Sequence, residues 1–96
     1  MDLQFGNFIW NMEKEALNVL KRGVDFRTAA RVFTDPDLRL FVDSQHSREE
    51  DRLFCFGKVD ERVLTVRFVY REGRIRIFGA GYWRKGVDYY YGKKAA

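Results

Sequence analysis

The sequence predicts an α+β fold: two N-terminal helices packed on an antiparallel meander sheet of about four strands, followed by a short C-terminal helix. Apolar residues recur at helical spacing before residue 36, and from residue 38 onward they alternate with polar residues, as in half-buried strands. Connections of two or three residues join the later strand-like stretches, which is short enough for hairpins. With 96 residues, the chain is expected to form one domain over residues 1–96.

Start and stop signals delimit both predicted helices. Asn11 can cap the first helix and Gly23 can end it, while Asp25 can cap a second helix that stops before Pro36. Three polar residues share one face of the first helix and are the only residues of this segment suited to a site: Lys14, Asn18 and Lys21. The pair is expected to cover a sheet with its apolar side.

The strands are assigned from alternation with a period of two. Residues 3–9 form a short strand or an extended lead-in, and the strands of the meander are residues 38–43, 52–59, 62–70 and 74–80. Alternation leaves one sheet face apolar and places Arg67, Arg74 and Arg76 on the other face. The tail is expected to contain a short helix that ends at Gly92.

Cationic side chains are concentrated in the second part of the chain. Residues 1–61 carry 9 Lys and Arg against 12 Asp and Glu, whereas residues 62–96 carry 9 Lys and Arg against 2 acidic residues. Arg outnumbers Lys by 12 to 6, and the planar guanidinium suits bidentate contacts with phosphate. This distribution predicts a site for a polyanion such as RNA; the alternative is a solvated basic surface.

Several classes of protein and site are disfavoured. Cys55 is the only cysteine, so no internal disulfide forms and a reducing cytoplasm is expected. No apolar run approaches the roughly 20 residues that span a bilayer, so no membrane association is expected. His46 and Cys55 belong to different elements, which argues against a metal site. Phosphate-loop and dinucleotide motifs are absent, and no cofactor is expected.

The remaining polar residues suit metal-free cleavage of RNA. That reaction needs a base for the 2′-hydroxyl, cations for the charge developing on the phosphate and an acid for the leaving 5′-oxygen. The predicted catalytic residues are His46, Glu50, Arg67, Arg76 and Arg84. The predicted substrate-binding residues are Arg52, Tyr70, Arg74, Tyr82 and Lys85. His46 or Glu50 would transfer protons, the arginines would bind phosphate, and the aromatic rings would stack on bases.

Each assignment has an ordinary structural alternative. His46 lies in a polar loop, where an exposed histidine without a role is equally expected. Aromatic residues at alternating spacing are commonly core residues. The acidic run at residues 49–51 is explained as well by a solvated turn with a weak surface ion pair.

A spaced set of residues also resembles a known family. In the N-terminal third the set is Phe8, Trp10, Lys14, Asn18, Lys21, Gly23, Val24, Phe26, Phe33, Asp35 and Pro36. Later in the chain it continues with His46, Glu50, Arg52, Tyr70 and Ile75-Arg76-Ile77. In order and spacing these residues resemble the BrnT toxins of bacterial toxin–antitoxin pairs. The chain has Asn11, Arg22 and Gly81 where that family usually has Asp, His and Arg; Arg84 or Lys85 would then supply the last cation.

The resemblance implies a RelE-like α+β fold and a ribonuclease that inhibits translation. It also implies a cognate antitoxin with a ribbon-helix-helix DNA-binding domain, which neutralises the toxin in a hetero-oligomer and links it indirectly to operator DNA. Two other functions remain open at this point. One is a non-catalytic RNA- or ribosome-binding module that uses the same basic face. The other is an inactivated toxin that retains only antitoxin binding.

Overall fold

The structure, a computed structural model, describes residues 1–92; residues 93–96 of the expected domain lie outside the described range. In chain order the elements are β1 (Asp2–Phe5), β2 (Phe8–Asn11), α1 (Met12–Arg22), α2 (Phe26–Ala30), a 3₁₀ turn (Arg31–Thr34), β3 (Arg39–Val42), β4 (Arg52–Val59), β5 (Arg62–Arg71), β6 (Arg74–Gly81) and α3 (Arg84–Tyr90). Strands therefore account for more of the described chain than helices.

The sheet has six strands in the order β1-β2-β6-β5-β4-β3, and it is mixed. The expected four-stranded antiparallel meander is therefore wrong. A turn at Gly6-Asn7 divides residues 3–9 into two antiparallel strands. The second of them, β2, pairs in parallel with β6, where Phe8 lies opposite Ile75. This parallel pairing joins segments that are distant in sequence, so local alternation could not indicate it.

The two N-terminal helices pack differently against the sheet. This also differs from the prediction that both helices cover one sheet face. Asn11 accepts a hydrogen bond from the Lys14 N–H at 2.9 Å and so caps α1, which ends at Gly23 in the left-handed conformation with φ 72°. None of the residues of α1 is buried, because α1 lies beside β6 at the point where the short strand β2 has ended. Only α2 and the 3₁₀ turn cover the sheet face.

The main core lies between that covered face and α2. Trp10 and Phe26 are completely buried, and their rings meet edge to face at 6.1 Å. Glu15 joins the two residues, because its carboxylate accepts from the Trp10 indole N–H at 3.1 Å and from the Phe26 backbone N–H at 2.8 Å. The side chain of Glu15 thus fixes α2 against the N-terminal hairpin.

The opposite sheet face is only partly covered, by α3. Gly86 lies directly on β5: a Cβ there would stand 2.4 Å from the Thr65 hydroxyl oxygen. The Tyr89 ring stacks on Phe56 at 5.6 Å, and the Tyr90 hydroxyl donates to the Asp35 carboxylate at 2.6 Å. The part of this face that α3 leaves uncovered is called the open face, and it includes Arg52, Phe54, Arg67, Arg76 and Phe78.

Candidate functional site

A basic cleft lies between α1 and the C-terminal part of β6. It measures about 290 Å³ and is lined by Lys14, Leu17, Asn18, Lys21, Arg22, Arg67, Phe78, Gly79, Ala80 and Trp83. Four of these side chains are cationic, and among the described residues that line the cleft none is acidic. Such a lining attracts an anion, and the positive charge of the cleft is not compensated until an anion binds.

The position of α1 follows from one polar side chain. The Asn18 carboxamide hydrogen-bonds the main chain of Ala80, where β6 has β5 on one side but no longer has β2 on the other. Residues 14, 18 and 21 share one face of the helix. Anchoring Asn18 to β6 therefore brings Lys14 and Lys21 to the wall of the cleft.

The indole of Trp83 forms one end of the basic cleft and contacts two of its cations. The guanidinium carbon of Arg22 lies 5.0 Å from the ring centroid, and that of Arg67 lies 5.8 Å from it. These are cation–π distances. The ring rests on Gly81, where a Cβ would stand 2.6 Å from the indole Cη2, so a larger residue at position 81 would displace Trp83.

A second cleft of about 270 Å³ lies on the other side of Trp83. Its lining residues are Glu61, Arg62, Val63, Tyr82, Trp83, Arg84, Val87 and Tyr91. The Arg62 guanidinium carbon stands 3.7 Å from the Tyr82 ring centroid, which is a close stack. Trp83 thus separates two clefts that both carry arginine and aromatic side chains.

A group of four charged side chains occupies the other end of the open face. Arg76 donates to Asp2 at 2.8 Å, and the Arg71 Nε donates to Glu50 at 3.2 Å. The hydrogen bond from Arg71 holds the pKa of Glu50 below its ordinary value, with further help from the charges of Arg52 and Arg76. The hydrogen bond from Arg76 likewise lowers the pKa of Asp2. Both carboxylates are therefore ionised near neutral pH.

His46 lies outside these groups. Its Nδ1 is 2.8 Å from the Asp43 carboxylate, and about two thirds of its side chain is exposed, at 64%. When Nδ1 carries the proton donated to Asp43, Nε2 is the atom that can accept another proton. His46 lines neither the basic cleft nor the second cleft.

The structure distributes the predicted site residues over several places. Arg67 lies in the basic cleft, Tyr82 and Arg84 line the second cleft, and Glu50 and Arg76 belong to the charged group. Arg52 stands over Phe78, a residue of the basic cleft, with 5.1 Å between its guanidinium carbon and the ring centroid. Tyr70 and Arg74 are exposed near the β5–β6 turn, and Lys85 lies 5.9 Å from the Tyr89 ring centroid.

Arg22 lines the basic cleft but was not among the predicted site residues. The helical spacing of Lys14 and Lys21 did point to their face of α1, but Arg22 comes from the last turn of α1 and contacts Trp83 in the cleft. The two residues are far apart in the sequence. No local pattern therefore signals their contact.

Residues 1–92 offer neither a metal centre nor a reactive cysteine. Within residues 1–92, no group of three or more His, Cys, Asp or Glu side chains is placed to hold a metal ion. Cys55 is buried, and burial raises the pKa of its thiol to about 12, which keeps it from acting as a thiolate nucleophile near neutral pH.

No helix within residues 1–92 is long and apolar enough to cross a membrane.

Comparison with known proteins gives one match. Residues 10–86, more than half of the chain, match the sequence profile of a family described as the ribonuclease toxin BrnT of a type II toxin–antitoxin system. A search of curated proteins found no match. The matched range contains every residue that lines the basic cleft.

Proposed function

The chain belongs to the BrnT family of type II toxin–antitoxin ribonuclease toxins, and we propose that it cleaves RNA in the basic cleft without a metal ion. Membership makes the protein a ribonuclease toxin with a cognate antitoxin. The proposal adds the location of the site and the chemistry. It rests on one observation above all: four cationic side chains and no acidic one among the described residues that line this cleft.

The proposed reaction is attack of a ribose 2′-hydroxyl on the adjacent phosphodiester. A base removes the 2′-hydroxyl proton as the oxygen bonds to phosphorus, and the 5′-oxygen leaves and takes up a proton. The products are a 2′,3′-cyclic phosphate and a 5′-hydroxyl end. Negative charge accumulates on the phosphate oxygens between these steps, so cations already in position lower the barrier.

Arg67, Lys14 and Lys21 are the proposed groups for that charge. Arg67 approaches from β5 and its side chain runs along Gly79, 3.8 Å from the position of a Cβ there. The two lysines approach from α1 on the opposite wall. A phosphate between the walls would be contacted from both sides, and the guanidinium could bind two of its oxygens.

The proton-transfer roles of His46 and Glu50 stay predictions. The ion pair with Arg71 keeps Glu50 ionised, as a general base must be, but it also occupies the carboxylate. Asp43 orients the imidazole of His46. Both residues lie outside the basic cleft, so either one could take the 2′-hydroxyl proton only if the cleaved phosphodiester lies toward the open face, where Arg52 and Arg76 are the proposed phosphate contacts.

The proposed activity has consequences for partners. Cleavage of messenger RNA would inhibit translation, and the cognate antitoxin would neutralise the toxin by forming a hetero-oligomer. We propose that this antitoxin carries a ribbon-helix-helix domain and brings the complex to operator DNA. Single-stranded RNA is the proposed substrate, because the cations are combined with aromatic rings that can stack on unpaired bases.

The test is cleavage of a labelled RNA by the purified protein in excess EDTA. We expect fragments with 2′,3′-cyclic phosphate ends, and Arg67→Ala should lower the rate by about 100- to 1,000-fold, as loss of a preorganised charge-stabilising donor does. Arg27→Ala is the control, since Arg27 stacks on Phe5 and lines neither cleft. Cleavage that stops in EDTA, or an active Arg67→Ala variant, would contradict the proposal.

A non-catalytic RNA-binding module is the second candidate. One observation favours it: the described residues that line the basic cleft include no His, Asp or Glu to transfer a proton. RNA that is bound but stays intact in the same assay would support this candidate. Cleaved RNA would rule it out.

A further inference from the structure

The two clefts share one lining side chain, Trp83. Trp83 lines both of them, and it leads from the end of β6 into α3, where the second cleft begins. A chain molecule that occupies the basic cleft can therefore continue past the indole into the second cleft. RNA is such a molecule, and successive nucleotides repeat the same combination of one anionic phosphate and one flat base.

The second cleft contains a flat platform for a base. Arg62 is exposed and its guanidinium lies on the Tyr82 ring at 3.7 Å from the centroid, so one face of the guanidinium is turned away from the ring. Tyr82 is half-buried and packs against the core, which holds the platform in place. Bases of single-stranded RNA stack on aromatic rings and on guanidinium planes of this kind.

The second cleft also matches the remaining parts of a nucleotide. Arg84 stands next to Trp83 in the chain and lines the same cleft, so it can contact a phosphate that lies between the two clefts. Val87 and Tyr91 supply apolar walls for the edge of a base or a ribose. Glu61 is the single acidic residue among the described lining residues, against the cations Arg62 and Arg84.

We propose that the second cleft is a subsite for the nucleotide next to the two that the cleaved phosphodiester joins in single-stranded RNA, with its base stacked on the Arg62–Tyr82 pair and its phosphate on Arg84. This inference rests on the proposed function of the basic cleft. It assigns Arg62 to base stacking and Trp83 to the boundary between two neighbouring nucleotides. The subsite makes affinity depend on the length of the RNA.

The test uses RNA that cannot be cleaved, with 2′-deoxyribose at the scissile position, in EDTA. Binding of a dinucleotide and of a tetranucleotide is measured by fluorescence anisotropy. Arg62→Ala is expected to weaken tetranucleotide binding by about tenfold or more, the loss expected for one stacked base, and to leave dinucleotide binding unchanged. Arg27→Ala is the control because Arg27 also stacks on an aromatic ring, Phe5, away from both clefts.

Two further variants separate the possible explanations. Arg62→Lys keeps the positive charge but lacks the planar guanidinium. Its binding should keep the salt dependence of wild type, and its affinity should fall by most of the amount seen in Arg62→Ala. If Arg67→Ala weakens both RNAs and Arg62→Ala weakens neither, the subsite is wrong but the basic cleft stands. If Arg67→Ala also has no effect, the proposed function itself fails. An equal loss of affinity for the dinucleotide and the tetranucleotide in Arg62→Ala would also contradict the subsite.

Discussion

The carboxamide of Asn18 pairs with the main chain of Ala80 as a neighbouring strand would. Its Oδ1 accepts from the Ala80 N–H at 3.2 Å, and its Nδ2 donates to the Ala80 carbonyl at 3.0 Å and to the Val24 carbonyl at 2.8 Å. Because β2 ends before this point, one side chain satisfies the exposed edge of β6 and fastens α1 to it. The basic cleft depends on that attachment.

Asn18→Ala should therefore reduce both stability and activity. The change leaves the main-chain groups of Ala80 and the Val24 carbonyl without their partner, and we expect a loss of about 1–3 kcal/mol in the free energy of unfolding, measured in urea. RNA cleavage should fall as well, because Lys14 and Lys21 lose their fixed position. Gln4→Ala is the control, since the Gln4 amide makes one exposed hydrogen bond, to the Gly6 carbonyl at 3.3 Å. Equal stability of the two variants would contradict the role of Asn18.

The ion pair between Arg76 and Asp2 allows a structural role of Arg76 to be separated from a role in cleavage. Both Arg76→Ala and Asp2→Asn remove the ion pair between β6 and β1. Only Arg76→Ala removes the guanidinium from the open face. We expect Arg76→Ala to abolish growth inhibition in cells and Asp2→Asn to retain it, at matched expression levels. Loss of growth inhibition in both variants would show that Arg76 acts through the ion pair, and full inhibition in both would show that Arg76 is not needed for cleavage.

The close contact between α3 and β5 predicts a coupled pair of substitutions. Gly86→Ala places a methyl group 2.4 Å from the Thr65 hydroxyl oxygen, and we expect a loss of about 1–3 kcal/mol in the free energy of unfolding from overpacking. Thr65→Ala removes that hydroxyl oxygen. In the double variant, part of the stability lost by Gly86→Ala should return, as a double-mutant cycle in urea would show. Strict additivity of the two effects would contradict this contact.

The hydrogen bonds to Asp35 predict a pH-dependent contribution to stability. Burial alone raises the pKa of Asp35, but hydrogen bonds from the Tyr90 hydroxyl and from the backbone N–H groups of Lys58 and Asp37 outweigh it and hold the pKa below its ordinary value of 3.8. A lowered pKa means that the contribution is complete above the ordinary pKa and is lost as the pH falls through the folded-state value.

Tyr90→Phe should accordingly cost about 1–2 kcal/mol at pH 7, because it removes a hydrogen bond to a charged group. The difference from wild type should shrink at acid pH, as the pH falls through the lowered pKa and the Asp35 carboxylate takes up a proton. Urea unfolding at the two pH values measures it. A difference that does not change with pH would show that the ionised form of Asp35 is not what the Tyr90 hydroxyl stabilises.

Local features of the fold followed from the sequence because local chemistry determines them. The caps at Asn11 and Asp25 and the helix end at Gly23 are confirmed, since each depends on residues within a few positions. The β4–β5 and β5–β6 hairpins are likewise antiparallel neighbours, as their short connections predict. The N-terminal hairpin was missed although its Gly6-Asn7 turn is a local signal. The parallel pairing of β2 with β6 was missed because sheet neighbours distant in sequence are selected by packing of the whole chain.

The candidate site likewise has features that local sequence patterns predict and features that depend on contacts between distant segments. Alternation along β5 indicated that Arg67 points away from the core, and the structure has it exposed at the basic cleft. The contacts of Trp83 with Arg22 and Gly81 arise only when α1, β6 and α3 come together. Sequence patterns can indicate which face a residue occupies, whereas they do not indicate which element lies opposite that face. The roles of His46 and Glu50 stay predictions.

The Asn18–Ala80 pairing has a consequence for the folding of the toxin during its synthesis on the ribosome. Lys14 and Lys21 leave the exit tunnel long before β6 has been synthesised, and until Ala80 follows them α1 has no strand to attach to. An unfinished chain therefore lacks the basic cleft, and an isolated helix as short as α1 is only marginally stable. If RNA is cleaved in this cleft as proposed, a chain that ends before residue 80 is inactive, and the ribosome that makes the toxin meets an active protein only after β6 has been translated.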